Sequence, residues 1–345
     1  MPDAVSSWPF SRCLLIAEVA QAHDGSLGTA HAYIDAAASA GADAIKFQTH
    51  IAHEESTPAE PWRVKFSRQD TTRYEYWQRM EFSPAQWHEL KAHADERGLL
   101  FLSSPFSVAA AELLCEVGVA AWKVASGEVA TAPLFDAMAR LPVPFLLSTG
   151  MSDWAEIETA ANRVREKELP LCILQCTSKY PTPANEVGLN VLDEIGTRLG
   201  CVAGLSDHSG DIYAGLAAVA RGAKAVEVHI CWSKQSFGPD VPASLTIEQL
   251  GQLAEGIRFI EAAQTPVDKN AVARELQPMR ALFNKSLVAR RDLAEGTILQ
   301  SEDIVLKKPG SGLAASRRDE FIGKMLQRNI AADTLLSESD FEVCQ

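Results

Sequence analysis

Residues 121–128, AWKVASGE, begin as a short apolar run and end on a lysine, a serine and a carboxylate. Seven further segments have the same form: Leu14 to Glu18 with His23 and Asp24 just beyond, Ala44 to Gln48, Leu99 to Ser104, Phe145 to Ser148, Leu171 to Ser178, Val202 to His208, and Ala225 to His229. Apolar runs that each leave reactive side chains at their far end are the pattern of a (β/α)8 TIM barrel, an α/β fold whose chemistry gathers at the C-terminal strand ends. Helical signals lie between the runs, so the order is β-α-β-α and not a series of hairpins.

Working outward, Ser83, Pro84 and Gln86 supply an N-cap, a proline at the first helical position and a capping-box partner, and Gly98 stops that helix. Thr246 and Gln249 repeat the capping-box spacing before the helix expected to close the barrel. Crossover helices are also expected from Gly28 to Ala40 and from Asp153 to Lys167. The runs start roughly 22 to 30 residues apart, the length of a βα unit, except where 50–82 intervenes. That insertion, rich in Glu, Pro, Arg and Trp, follows the second strand and so falls on the catalytic face, where long loops are commonly functional. The pattern changes after Glu261, and from Lys285 onward short β runs broken by turn residues indicate a small second domain. The expected division is a barrel over 1–265, an irregular linker over 266–284 and a β-rich domain over 285–345.

A chain of 345 residues with 47% hydrophobic and 22% charged residues can bury a sizeable core, and no window approaches a membrane span. A net charge of −13 argues against nucleic acid or an anionic membrane as partner, while leaving room for a local anion site. The seven cysteines include no C-x-x-C pair; Cys13, Cys172, Cys176, Cys201 and Cys231 lie in or beside apolar runs and read as buried thiols. With no secretion signal at the N-terminus, cytoplasmic residence is the expectation.

Lys46 and Lys123 fall at ends of the second and fourth strands, with Glu18 and Glu128 nearby. A lysine facing into a barrel needs a paired anion, so two suggest a bound phosphate or carboxylate; an ion pair between Lys123 and Glu128 is the structural alternative. Ser104, Ser126, Ser148, Ser178 and Ser206 repeat a hydroxyl at successive strand ends, as a phosphate site would use. His208 and His229 end consecutive strands, and two adjacent imidazoles suit a divalent cation.

Taken in order, Ile16 to Glu18, His23 to Ser26, Lys46 to Thr49, Ser104 to Phe106, Lys123 to Glu128, Leu147 to Met151, Gln175 to Pro181, Gly204 to His208 and Glu227 to His229 together resemble the sialic acid synthase family. The C-terminal segment, including KPGSG at 308–312, resembles the antifreeze-like (SAF, β-clip) domain appended to those synthases. The resemblance implies condensation of phosphoenolpyruvate with an amino-sugar aldehyde to give a nine-carbon 2-keto acid, a manganese or magnesium ion, and a domain-swapped homodimer. Carried onto this chain, Lys46, Ser104, Lys123, Ser126, Ser148, Ser178 and Ser206 would hold phosphoenolpyruvate. Glu18 and Glu128 would orient groups and move protons, joining Lys46, Lys123 and His229 in the chemistry, while His208 and His229 would bind the metal. Gln48, Tyr180, Asp240, Arg68 (or Gln69) and Lys308 match sugar-contact positions. The chain departs from the usual pattern at Ala22, Ser178, the 68–69 pair and Lys308, mostly on the sugar side. The alternatives are a Schiff-base aldolase using Lys46 or Lys123, and a non-catalytic sugar-binding component of surface-polysaccharide synthesis.

Overall fold

Eight parallel strands close on themselves: β1 (Leu14–Glu18), β2 (Ala44–Thr49), β3 (Leu100–Pro105), β4 (Trp122–Val124), β5 (Phe145–Ser148), β6 (Leu171–Cys176), β7 (Val202–Asp207) and β8 (Ala225–Cys231). Each pairs with the next, and β1 returns to β8 with Glu18 opposite His229. Closure leaves the eight-stranded ring without a free edge. The computed structural model describes residues 8–341, in two units, Met1–Gln264 and Thr265–Gln345.

Side chains alternate in and out along a strand, and that parity decides what fills the barrel. Leu14, Ile16, Ala44, Leu102, Ala121, Leu146, Cys172, Leu174, Val202 and Ala225 form one buried cluster. Further along the same faces of these strands, the inward positions become Glu18, Lys46, Ser104, Lys123, Ser148, Cys176, Ser206 and Glu227. On β7 the intervening inward residue is Gly204, where a Cβ would come within 2.6 Å of the Ala225 carbonyl oxygen, so only glycine lets the interior close there. The barrel is thus an apolar plug with a polar cap at its C-terminal end.

Outward-facing strand residues pack against the helices in a second, larger core that includes Leu15, Phe47, Phe101, Trp122 and Val228. The helix Pro84–Glu96 buries Trp87, Leu90 and Ala94, and its Ser83/Gln86 capping box forms. Boxes also form at Asp153/Glu156 before Trp154–Glu166 and at Thr246/Gln249 before Ile247–Ala263. Each satisfies two orphan N–H groups at a helix start. Among the described residues no helix is long and apolar enough to cross a membrane.

The segment 266–284, expected as an irregular connection, instead holds two short helices, Lys269–Glu275 and Gln277–Phe283. Asp268 caps the first and Pro278 opens the second, so the same polar and proline residues that suggest a loop here start helices.

In the second unit Ser286–Ala289 pairs antiparallel with Ile304–Lys307 around a core that includes Leu287, Leu293, Leu299, Ile304, Phe321, Leu326, Ile330 and Phe341. A capping turn occurs twice. Gln300 to Asp303 and Ser337 to Asp340 each close one, each buries its aspartate, and each aspartate is met by an arginine, Arg291 or Arg328. The flanking sequences RDLAEGT (291–297) and RNIAADT (328–334) match in register, and Leu293 bridges Ile330, so the small unit contains a repeated turn motif.

Candidate active site

The polar cap opens into a cavity of about 430 Å³ at the C-terminal ends of the strands. Its floor carries two ion pairs, Lys46 with Glu18 and Lys123 with Glu227 (3.0 Å); Lys46 also lies 3.7 Å from Glu227. Burial pushes the Glu18 carboxyl above the usual carboxylate range, and Lys46 only partly offsets this. For Glu227 burial acts in the same direction, but Lys123 and Lys46 together pull the group below its ordinary value. Burial would lower the Lys46 ammonium, yet Glu18 and Glu227 raise it, so it stays protonated.

Hydroxyls ring these pairs. Ser104 accepts from Lys46 Nζ at 3.3 Å and Ser206 donates to Glu227 at 3.3 Å. Ser126 Oγ accepts from the Gly150 N–H at 3.0 Å, and a Cβ on Gly150 would run into the Ser178 and Ser126 hydroxyls. Ser148 Oγ is buried without a partner, as is one oxygen of Glu227. The unpaired Ser148 hydroxyl, a donor in the same cavity as two ammonium groups, is a group whose bonding a small anion would complete, whereas the free Glu227 oxygen, an acceptor, calls for a donor.

His208 and His229 stand side by side with ring centroids 5.3 Å apart. Burial lowers both to about 3, so both rings are neutral. His208 Nδ1 lies 3.0 Å from the Thr177 carbonyl oxygen, which can only accept, so Nδ1 carries the proton and Nε2 keeps its lone pair. That donor set fits a divalent cation held by two nitrogens, with water or substrate oxygens completing the shell. Among the described residues no group of three or more His, Cys, Asp or Glu could hold a metal by itself.

The insertion after β2 forms the outer wall. Ser67 bonds Asp70 at 2.6 Å, and Asp70 pairs with Arg79 at 2.7 Å, whose hydrogen bonds and charge hold that carboxyl below its usual range. This tie turns Ser67 and Asp70 inward and leaves Arg68 and Gln69 exposed, outside the cavity. Two loop arginines do line the cavity: Arg73, paired with Glu60 at 3.2 Å, and Arg63, bonded to Asp240 at 2.5 Å and lying 4.4 Å over the Tyr180 ring.

Of the other expected residues, Glu18, Lys46, Gln48, Ser104, Lys123, Ser126, Glu128, Ser148, Ser178, Tyr180, Ser206, His208, His229 and Asp240 all line this one cavity. Glu128 is half-buried, which raises its carboxyl, and it is Glu227, not Glu128, that pairs with Lys123. Lys308 belongs to the second unit, where its ammonium lies 5.1 Å over the Phe283 ring.

Sequence reasoning missed Glu227, Arg63 and a buried relay. In the relay His50 is stacked between Trp77 and Phe106, its Nδ1 donates to Glu55 at 2.7 Å, and its Nε2 accepts from Gln21 at 3.3 Å. The Gln21 amide donates in turn to Gln48, orienting it. Glu227 could have been found by parity, two residues before His229 on one strand.

The NeuB family model matches residues 33–269 and the SAF domain model residues 284–342. The chain is similar to the N,N'-diacetyllegionaminic acid synthase of Campylobacter jejuni, 35% identical over 95% of this chain and 99% of that one. It is also similar to human N-acetylneuraminate-9-phosphate synthase, 32% identical over 94% and 92%. Among solved structures, N-acetylneuraminic acid (sialic acid) synthetase from Leptospira borgpetersenii superposes with a TM-score of 0.68 at 28% identity, covering 78% of this chain and 92% of that one.

Proposed function

Because the chain belongs to the NeuB family, we propose that it condenses phosphoenolpyruvate with an N-acyl hexosamine-type sugar, giving a sialic or related nonulosonic acid and phosphate. The observation that carries this reading is the cavity floor, where Lys46 and Lys123 are tied to Glu18 and Glu227 within a ring of hydroxyls. A small, highly charged anion can draw both ammonium groups toward itself and satisfy the unpaired Ser148 hydroxyl.

In this reading Lys46, Lys123 and Ser104, Ser126, Ser148, Ser178 and Ser206 hold the phosphate and carboxylate. C3 of the enol forms the new bond to the aldehyde carbon of the open-chain sugar, the aldehyde oxygen takes a proton, and C2 becomes an oxocarbenium centre. Water adds at C2 and gives up a proton. The bond between C2 and the bridging oxygen then breaks, the C2 hydroxyl passes its remaining proton to the departing phosphate, which leaves with that oxygen, and C2 becomes the ketone. Glu18, raised by burial, and Glu128, raised less, are the carboxyl groups suited to move these protons. Glu227 stays ionised and keeps the lysines aligned.

A divalent cation, manganese or magnesium, held by His208 and His229 would supply Lewis acidity toward the aldehyde oxygen. Gln48, Tyr180 and Asp240 face the acceptor. The reading extends to a homodimer in which Lys308 reaches the acceptor of a partner copy. A Schiff-base route through Lys46 is opposed by the two carboxylates that hold its ammonium protonated.

The test is phosphate release with manganese or magnesium present. It should require both phosphoenolpyruvate and an N-acyl hexosamine. Release from phosphoenolpyruvate alone, or none across a broad acceptor panel, would overturn the reading.

A further inference from the structure

His208 lines the cavity, but the groups that hold its ring and main chain belong to the turn from Thr177 to Thr182 that follows β6. The Thr177 carbonyl oxygen, 3.0 Å from His208 Nδ1, also accepts from the Lys179 N–H at 2.8 Å. The Thr182 hydroxyl lies 3.1 Å from that same oxygen and 2.9 Å from the Lys179 carbonyl oxygen. Neither carbonyl can donate, so the hydroxyl is the donor to the turn. The Thr182 N–H donates in the other direction, to the His208 carbonyl oxygen at 2.9 Å. One residue therefore grips His208 twice, directly at its main chain and through Thr177 at its ring.

Thr182 is 6% exposed and, like Thr177, does not line the cavity. The turn it closes nevertheless carries Ser178 and Tyr180 into the site, and the Tyr180 ring stacks on His208 with centroids 4.2 Å apart. Thr177 is tied down from a second direction, its Oγ1 donating to the Glu186 carbonyl oxygen at 2.7 Å. A ligating histidine whose second ring nitrogen lacks a fixed partner is free to turn and to change tautomer, and metal sites lose affinity when such partners are removed.

We infer that Thr182 is a positioning residue for the metal: by fastening the Thr177 carbonyl and the His208 main chain to each other, it keeps the Nε2 lone pair of His208 presented to a divalent cation. The inference rests on the metal assignment in the synthase reading above and extends it to a residue outside the cavity.

The test measures manganese binding to the full-length, substrate-free protein by electron paramagnetic resonance, with phosphoenolpyruvate affinity measured separately by calorimetry after chelation of metal. His208→Gln should abolish manganese binding and so locates the site. Thr182→Val keeps the branched shape and the N–H but loses the hydroxyl; it should weaken manganese binding about tenfold and leave phosphoenolpyruvate affinity unchanged. Thr182→Ser keeps the hydroxyl and should bind manganese as wild type does. Wild-type affinity in Thr182→Val would overturn the inference. So would a serine variant as weak as the valine one, which would assign the effect to packing of the methyl group, or a parallel loss of phosphoenolpyruvate affinity. In metal-free wild type, imidazole 15N shifts should report His208, identified by its loss in His208→Gln, as the Nδ1–H tautomer, and the Nε2–H tautomer would overturn the inference whether or not the variants fold. Manganese bound by wild type without phosphate release from any acceptor would overturn the synthase reading and leave this inference standing, whereas no bound manganese, or binding undiminished in His208→Gln, would overturn this inference.

Discussion

Lys123 Nζ lies 3.0 Å from Glu227 Oε1, joining β4 to β8 across the barrel interior with both groups almost fully buried. A buried pair of this kind contributes little net stability when intact and a large penalty when half of it is removed. Glu227→Leu should therefore cost about 3–5 kcal/mol. Adding Lys123→Met should recover a substantial part of that loss, read as a non-additive cycle in urea denaturation. Additive losses would mean the two groups do not depend on each other.

Glu18 and Lys46 share the floor of the cavity. Glu18→Gln removes a proton carrier but frees the lysine, so turnover should drop by about 10²–10⁴ while phosphoenolpyruvate binds as well or better. Single-turnover phosphate release and calorimetry check the two halves. Weaker phosphoenolpyruvate binding would place Glu18 on the substrate side of the site.

His23 is buried, its Nδ1 accepts from the Gly25 N–H at 3.1 Å, and burial lowers it to about 3. An unfolded histidine titrates near 6.5, so between those values the unfolded chain binds a proton that the folded chain does not. The stability this group contributes is therefore complete above about pH 6.5 and is lost as pH falls, by up to about 1.4 kcal/mol per pH unit. Urea midpoints at pH 7.5 and 5.5 should show the loss, and His23→Gln should lessen it, with His208 and His229, lowered in the same way, carrying the rest. Parallel pH profiles would contradict the assignment.

Glu55 acts on the acceptor end through His50 and Gln21, which orient Gln48. Glu55→Ala removes the acceptor that fixes the His50 tautomer, at a cost of about one hydrogen bond. The acceptor KM should rise about tenfold with KM for phosphoenolpyruvate unchanged, as steady-state kinetics would show. Equal changes in both would indicate general loosening of the wall.

The barrel was legible because its strands are short and each switches from apolar to polar at the same height, a property of parity that survives in one sequence. Lys46, Ser104, Lys123, Ser148 and Ser206 reach the cavity for that reason. Glu227 obeys the same parity, two residues before His229 on one strand. The outer wall was not legible. That Arg68 stays out while Arg63 and Arg73 line the cavity goes with the Ser67–Asp70–Arg79 tie, a side-chain contact that no local pattern announces. The helices in 266–284 were hidden for a related reason, since Asp268 and Pro278 serve loops and helix starts alike.

The central claim is that this cavity forms a carbon–carbon bond between phosphoenolpyruvate and an acylated amino sugar. Mass spectrometry of the product from uniformly 13C-labelled phosphoenolpyruvate and mixed acceptors tests it most directly. One product heavier than its acceptor by a labelled pyruvate unit, formed with stoichiometric phosphate, is the expected result. Label recovered only as free pyruvate, or a sugar product without label, would contradict it.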